Sequence, residues 1–355
     1  MKRAFAIADR TAILALKLIA VLNVLFFVAF LIALVFAATK AQAEMPVCVG
    51  KDMMAELAAQ DPSLLAKIKA EAAETLNGKG LLWKVETEGV APSFLFGTIH
   101  MTDPRVVELT PKAEQVFDAA GTVVIETTEV LDQNAMMASL ARNPDLMMFT
   151  DGTTLMSLLS PADQKELEEG LAERGILLTT VAKMKPWMLS AMVAMPACEL
   201  SRKAAGAPVL DVKLAEDAKA AGKKLEGLET VADQLRAMAS LPMELHLKGL
   251  IDTLKLGDRI DDVIETMIVL YKRGDTGTFW PLFRAVLPDS EADAEGYAAF
   301  EQAMIVERNK TMMKNAEPIL AAGNAFIAVG ALHLPGPEGL IELLRKSGHT
   351  VAAVN

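Results

Sequence analysis

The chain has 355 residues, a formal charge of −11 and only two cysteines. Such acidity argues against nucleic acid or an anionic membrane surface as a partner, and the length bounds the fold at one large domain or two small ones. Several chemistries are excluded by missing motifs: there is no Gly-x-Ser-x-Gly elbow, no Gly-x-x-x-x-Gly-Lys phosphate loop, no His-Glu-x-x-His and no Cys-x-x-Cys.

In chain order, residues 1–43 carry Lys2, Arg3, Arg10, Lys17 and Lys40 against the single acid Asp9. An unbroken apolar run over 18–38 follows, then Ala41-Gln-Ala43, a small-x-small cleavage pattern. This is the layout of a secretory signal peptide; the run is also long enough to act as an uncleaved N-terminal membrane anchor. Either way the remainder, 44–355, is expected to form a single periplasmic or otherwise extracytoplasmic domain, touching a membrane only through that segment. Without residues 1–43 the formal charge is −15. In an oxidising compartment Cys48 and Cys198 are expected to form a disulfide, the alternative being two buried free thiols.

Two short helices follow, split at Asp61-Pro62, where Asp61 suits the N-cap and Pro62 the first helical position. Residues 81–87 alternate as a strand, Glu88-Gly89 turns, and Pro92-Ser-Phe-Leu-Phe-Gly-Thr-Ile-His100 reads as a second, buried strand, so that the two form a hairpin. A helix over 111–120 and a strand over 122–127, ending in Glu126, complete a strand–helix–strand unit. Helices are expected over 131–140, from Ser160-Pro161 to Gly175, across the Met-rich segment after Lys185-Pro186-Trp187, and over 212–221. Residues 224–229 read as a short strand ending in Glu229. From 231 to 320 the pattern is helical only, broken by Pro281, Pro288 and Pro318, and is taken as a helical insertion. The chain closes with Ala325-Phe-Ile-Ala-Val-Gly-Ala-Leu-His333, a helix over 338–346 and a strand over 350–354.

The last unit repeats the first: an apolar strand, Gly-x-x-His, a helix, a strand. The predicted fold is therefore α/β, a central and mostly parallel sheet carrying two strand–Gly-x-x-His–helix–strand units, with flanking helices. Ligands of such sheets bind outside the carboxyl ends of the strands, so His100 and His333 are expected at one edge. Neutral imidazole is the commonest protein ligand of metals, and a catalytic metal site takes about three protein ligands. Glu126 is the best third ligand, because a carboxylate ending an apolar strand is costly unless it is paired or metal-bound. Glu129 is a weaker alternative, and Glu229 shares the strand-end position. Arg308 is a candidate for binding a developing oxyanion. Asp211 and Asp103 could orient the histidines from behind, or serve as caps and turn formers. His246 and His349 lack the motif setting and are read as structural.

These residues resemble the TraB/PrgY/GumN family, which includes the Tiki metalloproteases and is related to the erythromycin-esterase and ChaN-like folds. The resemblance rests on Leu82-Trp83-Lys84, the stretch Ser93–His100 with Asp103-Pro104, Val124-Ile-Glu126, Lys185-Pro-Trp187, Gly227-Leu-Glu229, Arg308-Asn309 and Ala328-Val-Gly-Ala-Leu-His333. It implies an active site made by the two histidines, Glu126 and Arg308, and divalent-metal-dependent proteolysis as in the Tiki branch. The resulting expectation is an exported metal-dependent hydrolase, a peptidase. His100, Glu126 and His333 would hold Mn, Co or Zn, a water activated by that metal would attack a peptide or small-molecule substrate, and Arg308 would steady the oxyanion. The alternative is a non-catalytic periplasmic metal- or haem-binding protein, or an accessory factor for envelope polysaccharide.

Overall fold

Alternation of apolar residues on both faces, in strands too short to be helices, builds a sheet buried on both sides. In this computed structural model, which describes residues 47–286 and 294–354, the strands are β1 (Leu82–Glu86), β2 (Ser93–Thr98), β3 (Thr122–Ile125), β4 (Lys224–Gly227), β5 (Ala325–Gly330) and β6 (Thr350–Ala353). Their order across the sheet is β4-β3-β5-β2-β1-β6. The pairs β4–β3, β3–β5 and β5–β2 are parallel; β1 is antiparallel to both β2 and β6. The leader read over 1–43 lies outside the described residues. Among the described residues no helix is long and apolar enough to cross a membrane.

Ile327 and Val329 of β5 point to one face, with Leu95, Val124 and the helices Glu307–Ala322 and Leu340–Lys346. Phe326 and Ala328 point to the other, with Phe96, Val123, Ile125 and the helices Pro111–Ala119 and Leu210–Ala220. Phe96 and Phe117 both pack on Phe326, at ring-centroid distances of 5.7 and 5.4 Å. Two further apolar clusters lie beside this three-layer core. One centres on Ile68, Ile268 and Phe279, the other on Leu167, Leu189 and Leu250.

The sheet brings the motifs together by insertion. β2 and β3 belong to one strand–helix–strand unit, yet β5 lies between them. In register, Thr98 of β2 faces Gly330 of β5, and Ile125 of β3 faces Gly227 of β4. Four parallel strands therefore end side by side, and the residues just beyond those ends are Glu229, Glu126, His333 and His100 in spatial order. Gly97 is required here by close approach. A Cβ on it would lie 2.8 Å from Leu334 Cδ1 and 3.1 Å from the Ala331 backbone, in the turn that carries His333.

The caps expected at Asp61 and Ser160 are formed, each accepting from a backbone amide with proline in the first turn. Two proline expectations are corrected. Pro281 lies in the first turn of the helix Phe279–Val286, where an amide has no intrahelical partner to lose. Pro318 lies inside the helix Glu307–Ala322, which continues because Met312, Met313, Ala316, Ile319 and Leu320 are buried against the sheet. Pro288 lies outside the described residues. Arg308 stands in the first turn of this 16-residue helix.

Cys48 and Cys198 form a disulfide across 150 residues of sequence. Closing so long a loop lowers the entropy of the unfolded chain. Replacing both cysteines by alanine is expected to lower stability by about 2–5 kcal/mol, measured by urea denaturation.

Candidate active site

The carboxyl ends of β2, β3 and β5 converge on one oxygen. Glu126, the residue after β3, is buried, and its Oε1 lies 3.9 Å from His100 Nε2 and 3.8 Å from His333 Nε2. The same oxygen accepts a 2.7 Å hydrogen bond from the backbone N–H of Gly330. Both imidazoles are held from behind. His100 Nδ1 is 2.9 Å from Asp211 Oδ2, while Asp211 Oδ1 accepts a 2.6 Å bond from the Thr98 hydroxyl within the same Gly-x-x-His motif. His333 Nδ1 is 2.7 Å from Asn309 Oδ1. The Asn309 amide donates to the carbonyls of His333 and Glu338, which turns its oxygen toward the ring. In the neutral form of each ring Nδ1 therefore carries the proton and Nε2 presents a lone pair toward Glu126.

The other Glu126 oxygen is engaged on the opposite side. Oε2 accepts from Arg308 Nη2 at 2.7 Å and from Gln234 Nε2 at 3.1 Å. Arg308 also binds Glu229 through Nε and Nη2, the latter at 2.7 Å, and its Nη1 donates to the Met304 carbonyl. The guanidinium thus bridges two buried carboxylates. This departs from the expected oxyanion role: Nε, Nη1 and Nη2 all have protein partners. A π-helical turn, Gln302–Val306, immediately precedes the helix Glu307–Ala322. Such turns shift the register of a helix and recur at functional sites. Here Arg308 reaches Glu126 and Asn309, the next residue, reaches His333.

Electrostatics follow from this arrangement. Asp211 raises His100 to about 9 against the effect of burial. Burial lowers His333 to about 4. Burial pushes Glu126 up, but His333, His100 and Arg308 together outweigh it and bring the carboxyl down to about 2. Burial raises Glu229, opposed by Arg308. The site meets solvent at His100, whose side chain is 58% exposed, whereas that of His333 is 5% exposed.

Two imidazoles and a carboxylate facing one another are a donor set of the kind that takes a divalent metal. A Cβ built on Gly330 would sit 3.2 Å from Glu126 Oε1 and 3.5 Å from both His100 Nε2 and His333 Cδ2. The space that glycine leaves is therefore the point on which two imidazoles and a carboxylate converge, a donor set typical of catalytic metals. A second acidic cluster does not qualify. Cys48 Sγ, Asp103 and Glu199 lie within 4.8 Å of one another, but the Cys48 sulfur is bound in the disulfide. The two carboxylates are paired with Arg105 and Arg202. Asp103 thus takes no part in orienting a histidine and serves the loop instead, accepting from the Arg105 amide.

Of the remaining sequence candidates, Glu229 reaches the site through Arg308 and, at 3.5 Å, through Gln234. Glu129 accepts from the Val231 amide in the next helix. His246 bonds the Met238 carbonyl and His349 pairs with Thr87, so neither ring is bonded to Glu126. Sequence reasoning missed Gln234, Thr98 and the orienting role of Asn309. Asn309 had one usable signal: it follows Arg308, and neighbours on a helix point about 100° apart, so the pair can reach two different ligands.

With this geometry established, comparison with known proteins places the chain in a class. The TraB/PrgY/gumN family model matches residues 81–353, and the chain belongs to that family. It is 25% identical over 317 residues to the metalloprotease TIKI2 of Danio rerio, covering 76% of this chain and 60% of the relative. It is 24% identical to the metalloprotease TIKI1 of Homo sapiens, covering 76% and 61%, and 23% identical to a metalloprotease TIKI homolog of Nematostella vectensis, covering 78% and 68%. The chain spans about 60% of the length of the Danio rerio TIKI2 it matches. No solved structure matches it.

Two predictions follow from these charges. Arg308→Met leaves Glu126 and Glu229 buried without their cation and is expected to destabilise by about 3–5 kcal/mol, with much of the loss restored by adding Glu229→Gln; a double-mutant cycle in urea reads both. In the metal-free protein, His100 is raised, so its stabilising contribution is full below 6.5 and is lost as pH rises through about 9. His333 is lowered, so its contribution is present above 6.5 and lost as pH falls through about 4; that of Glu126 is present above 4.5 and lost toward about 2. Thermal melts of the metal-free protein should peak near pH 6.5, and His100→Ala should flatten the alkaline fall.

Proposed function

We propose that this protein is an exported, metal-dependent hydrolase that acts on peptides. The observation that carries the reading is the convergence of His100 Nε2 and His333 Nε2 on Glu126 Oε1, at 3.9 and 3.8 Å, with each outer nitrogen already partnered. His100, Glu126 and His333 would hold Mn, Co or Zn. When bound, such an ion supplies Lewis-acid polarisation of a carbonyl and makes a water more acidic.

The residues of the chain supply the rest. Asp211 and Asn309 fix the imidazoles in the tautomers that leave Nε2 free, as outer partners of metal-binding histidines commonly do. Arg308 and Gln234 hold one Glu126 oxygen so that the other faces the histidines. Arg308 is in this reading a positioning residue for Glu126. Substrate approaches over the half-exposed His100 ring, because Glu126 and His333 are closed off by protein. The relatives named metalloproteases support hydrolysis of peptides as the reaction. The leader pattern in residues 1–43 and the disulfide support a location outside the cytoplasm.

Elemental analysis after separate reconstitution with Mn, Co and Zn tests the site. Wild type should retain about one ion per chain. His100→Ala and His333→Ala should lose it, together with cleavage of a quenched-fluorescence peptide library. Unchanged metal content in either variant would sink the shared site, and a wild type that binds one ion without cleaving any peptide would leave a binding protein on the same scaffold.

A further inference from the structure

A second cavity lies one residue from His333. Its volume is about 470 Å³, and its walls include Trp187, His246, Trp280, Phe283, Phe300 and Leu332. The size falls within the range of about 300–1,000 Å³ usual for small-ligand sites. None of the apolar clusters that build the fold requires it to be open, and it reaches the surface rather than being sealed inside the core.

Two covalent links tie this cavity to the candidate active site. Leu332 lines it, and the next residue is His333. On the helix Val231–Ala239, Gln234 donates to Glu126 Oε2, and Met238, four residues later, lines the cavity. Residues four apart share a helix face and stand about one turn, 5.4 Å, from each other. Both connections place the cavity beside elements that carry the site residues His333 and Gln234.

The wall chemistry selects the occupant. Trp280 makes edge-on contacts with Phe283 and Phe300, at 6.0 and 6.1 Å between ring centroids. Trp187 lies 4.6 Å from the His246 ring and is fixed by donating from Nε1 to the Leu146 carbonyl. His246 is bound to the Met238 carbonyl, and burial favours its neutral form. The charged wall residue Asp252 is paired with Lys248. Ring faces and edges already set at aromatic spacings favour another ring over a flexible chain, because aromatic pairs gain about 0.5–1.5 kcal/mol beyond buried area.

We propose that this cavity is a specificity pocket that receives an aromatic side chain of the peptide substrate, next to the bond to be cleaved. As a statement about substrate it rests on the hydrolase reading; as a binding site it stands on its own lining. Gly249 makes it testable. It lines the cavity within the helix Met243–Lys255, and a Cβ there meets nothing within 4 Å. A large side chain at 249 would grow into the open space and leave the core intact.

The experiment titrates the metal-free protein with N-acetylphenylalanine amide, N-acetylalanine amide and dodecanoate, reading tryptophan emission, to which Trp187 and Trp280 contribute from the pocket wall. Saturable binding of the phenylalanine amide, absent for the alanine amide and weakened at least about tenfold in Gly249→Trp, is the expected result. In the metal-reconstituted protein, the same substitution should lower the ratio of kcat/KM for phenylalanine over alanine peptides by a similar factor. Equal binding of the two amides, phenylalanine binding untouched by Gly249→Trp in a variant that melts as wild type does, or binding of dodecanoate alone would overturn the pocket assignment. The two readings fail separately. Amide binding without any peptide cleavage removes the hydrolase and retains the ring-binding pocket, whereas cleavage blind to the side chain retains the hydrolase and removes the pocket.

Discussion

One guanidinium set between two buried carboxylates is the constraint on which this structure depends. Glu126 and Glu229 close adjacent parallel strands, and both lie largely out of water. Taking either out of solvent unpaired would cost several kcal/mol. Arg308 offsets that cost by binding both in its planar fork, a geometry that lysine lacks. Because Arg308 is itself anchored to the helix Glu307–Ala322, the charge cluster fixes where that helix starts relative to the sheet. The helix in turn carries Asn309 to His333. One ion-pair network thus sets the position of Glu126 and, through a single residue step, the orientation of the second histidine.

The first histidine is set by a separate device. Asp211, in the first turn of the helix Leu210–Ala220, accepts from Thr98 and from the His100 ring at once. Tyr271 donates to the Gly97 carbonyl near the end of β2. Beyond His100, the loop is held by Glu199, which is wholly buried and accepts from both the amide and the hydroxyl of Thr102. Arg202 links Glu199 to Asp103 beside the disulfide. The second acidic cluster of the molecule therefore has a structural part to play. It clamps the backbone that leaves His100, and the bridge between Cys48 and Cys198 ties that clamp to the beginning of the described chain.

Opposite shifts in the two imidazoles have one physical origin. Both rings face the same carboxylate, but His100 has a carboxylate behind it and His333 a neutral amide. The first partner favours the imidazolium, whereas the second leaves Glu126 as the group that opposes burial, and burial wins. Two histidines drawn from matching sequence motifs thus acquire different chemistry from their outer neighbours. For a metal centre this asymmetry means one ligand already neutral in the metal-free protein and one that must release a proton before it can bind.

The sequence by itself determined the architecture and singled out the residues that meet at the strand ends. Two apolar strands ending in Gly-x-x-His, each followed by a helix and a strand, define parallel units, and parallel strands place their ends on one edge. The same reading singled out Glu126 because an apolar strand does not end in a carboxylate without a partner. Those inferences rest on local periodicity and on general costs of burial, which a sequence carries on its surface. Tertiary structure alone decided the insertion of β5 between β2 and β3, and with it the direct apposition of the two motifs. It also decided that Arg308 braces Glu126, that Asp211 rather than Asp103 orients His100, and that Gln234 completes the set. Each of these joins residues roughly 80 to 180 positions apart. Partner choice at that range follows from how helices pack over the sheet, which depends on the summed shape of many side chains and leaves no periodic trace in the chain.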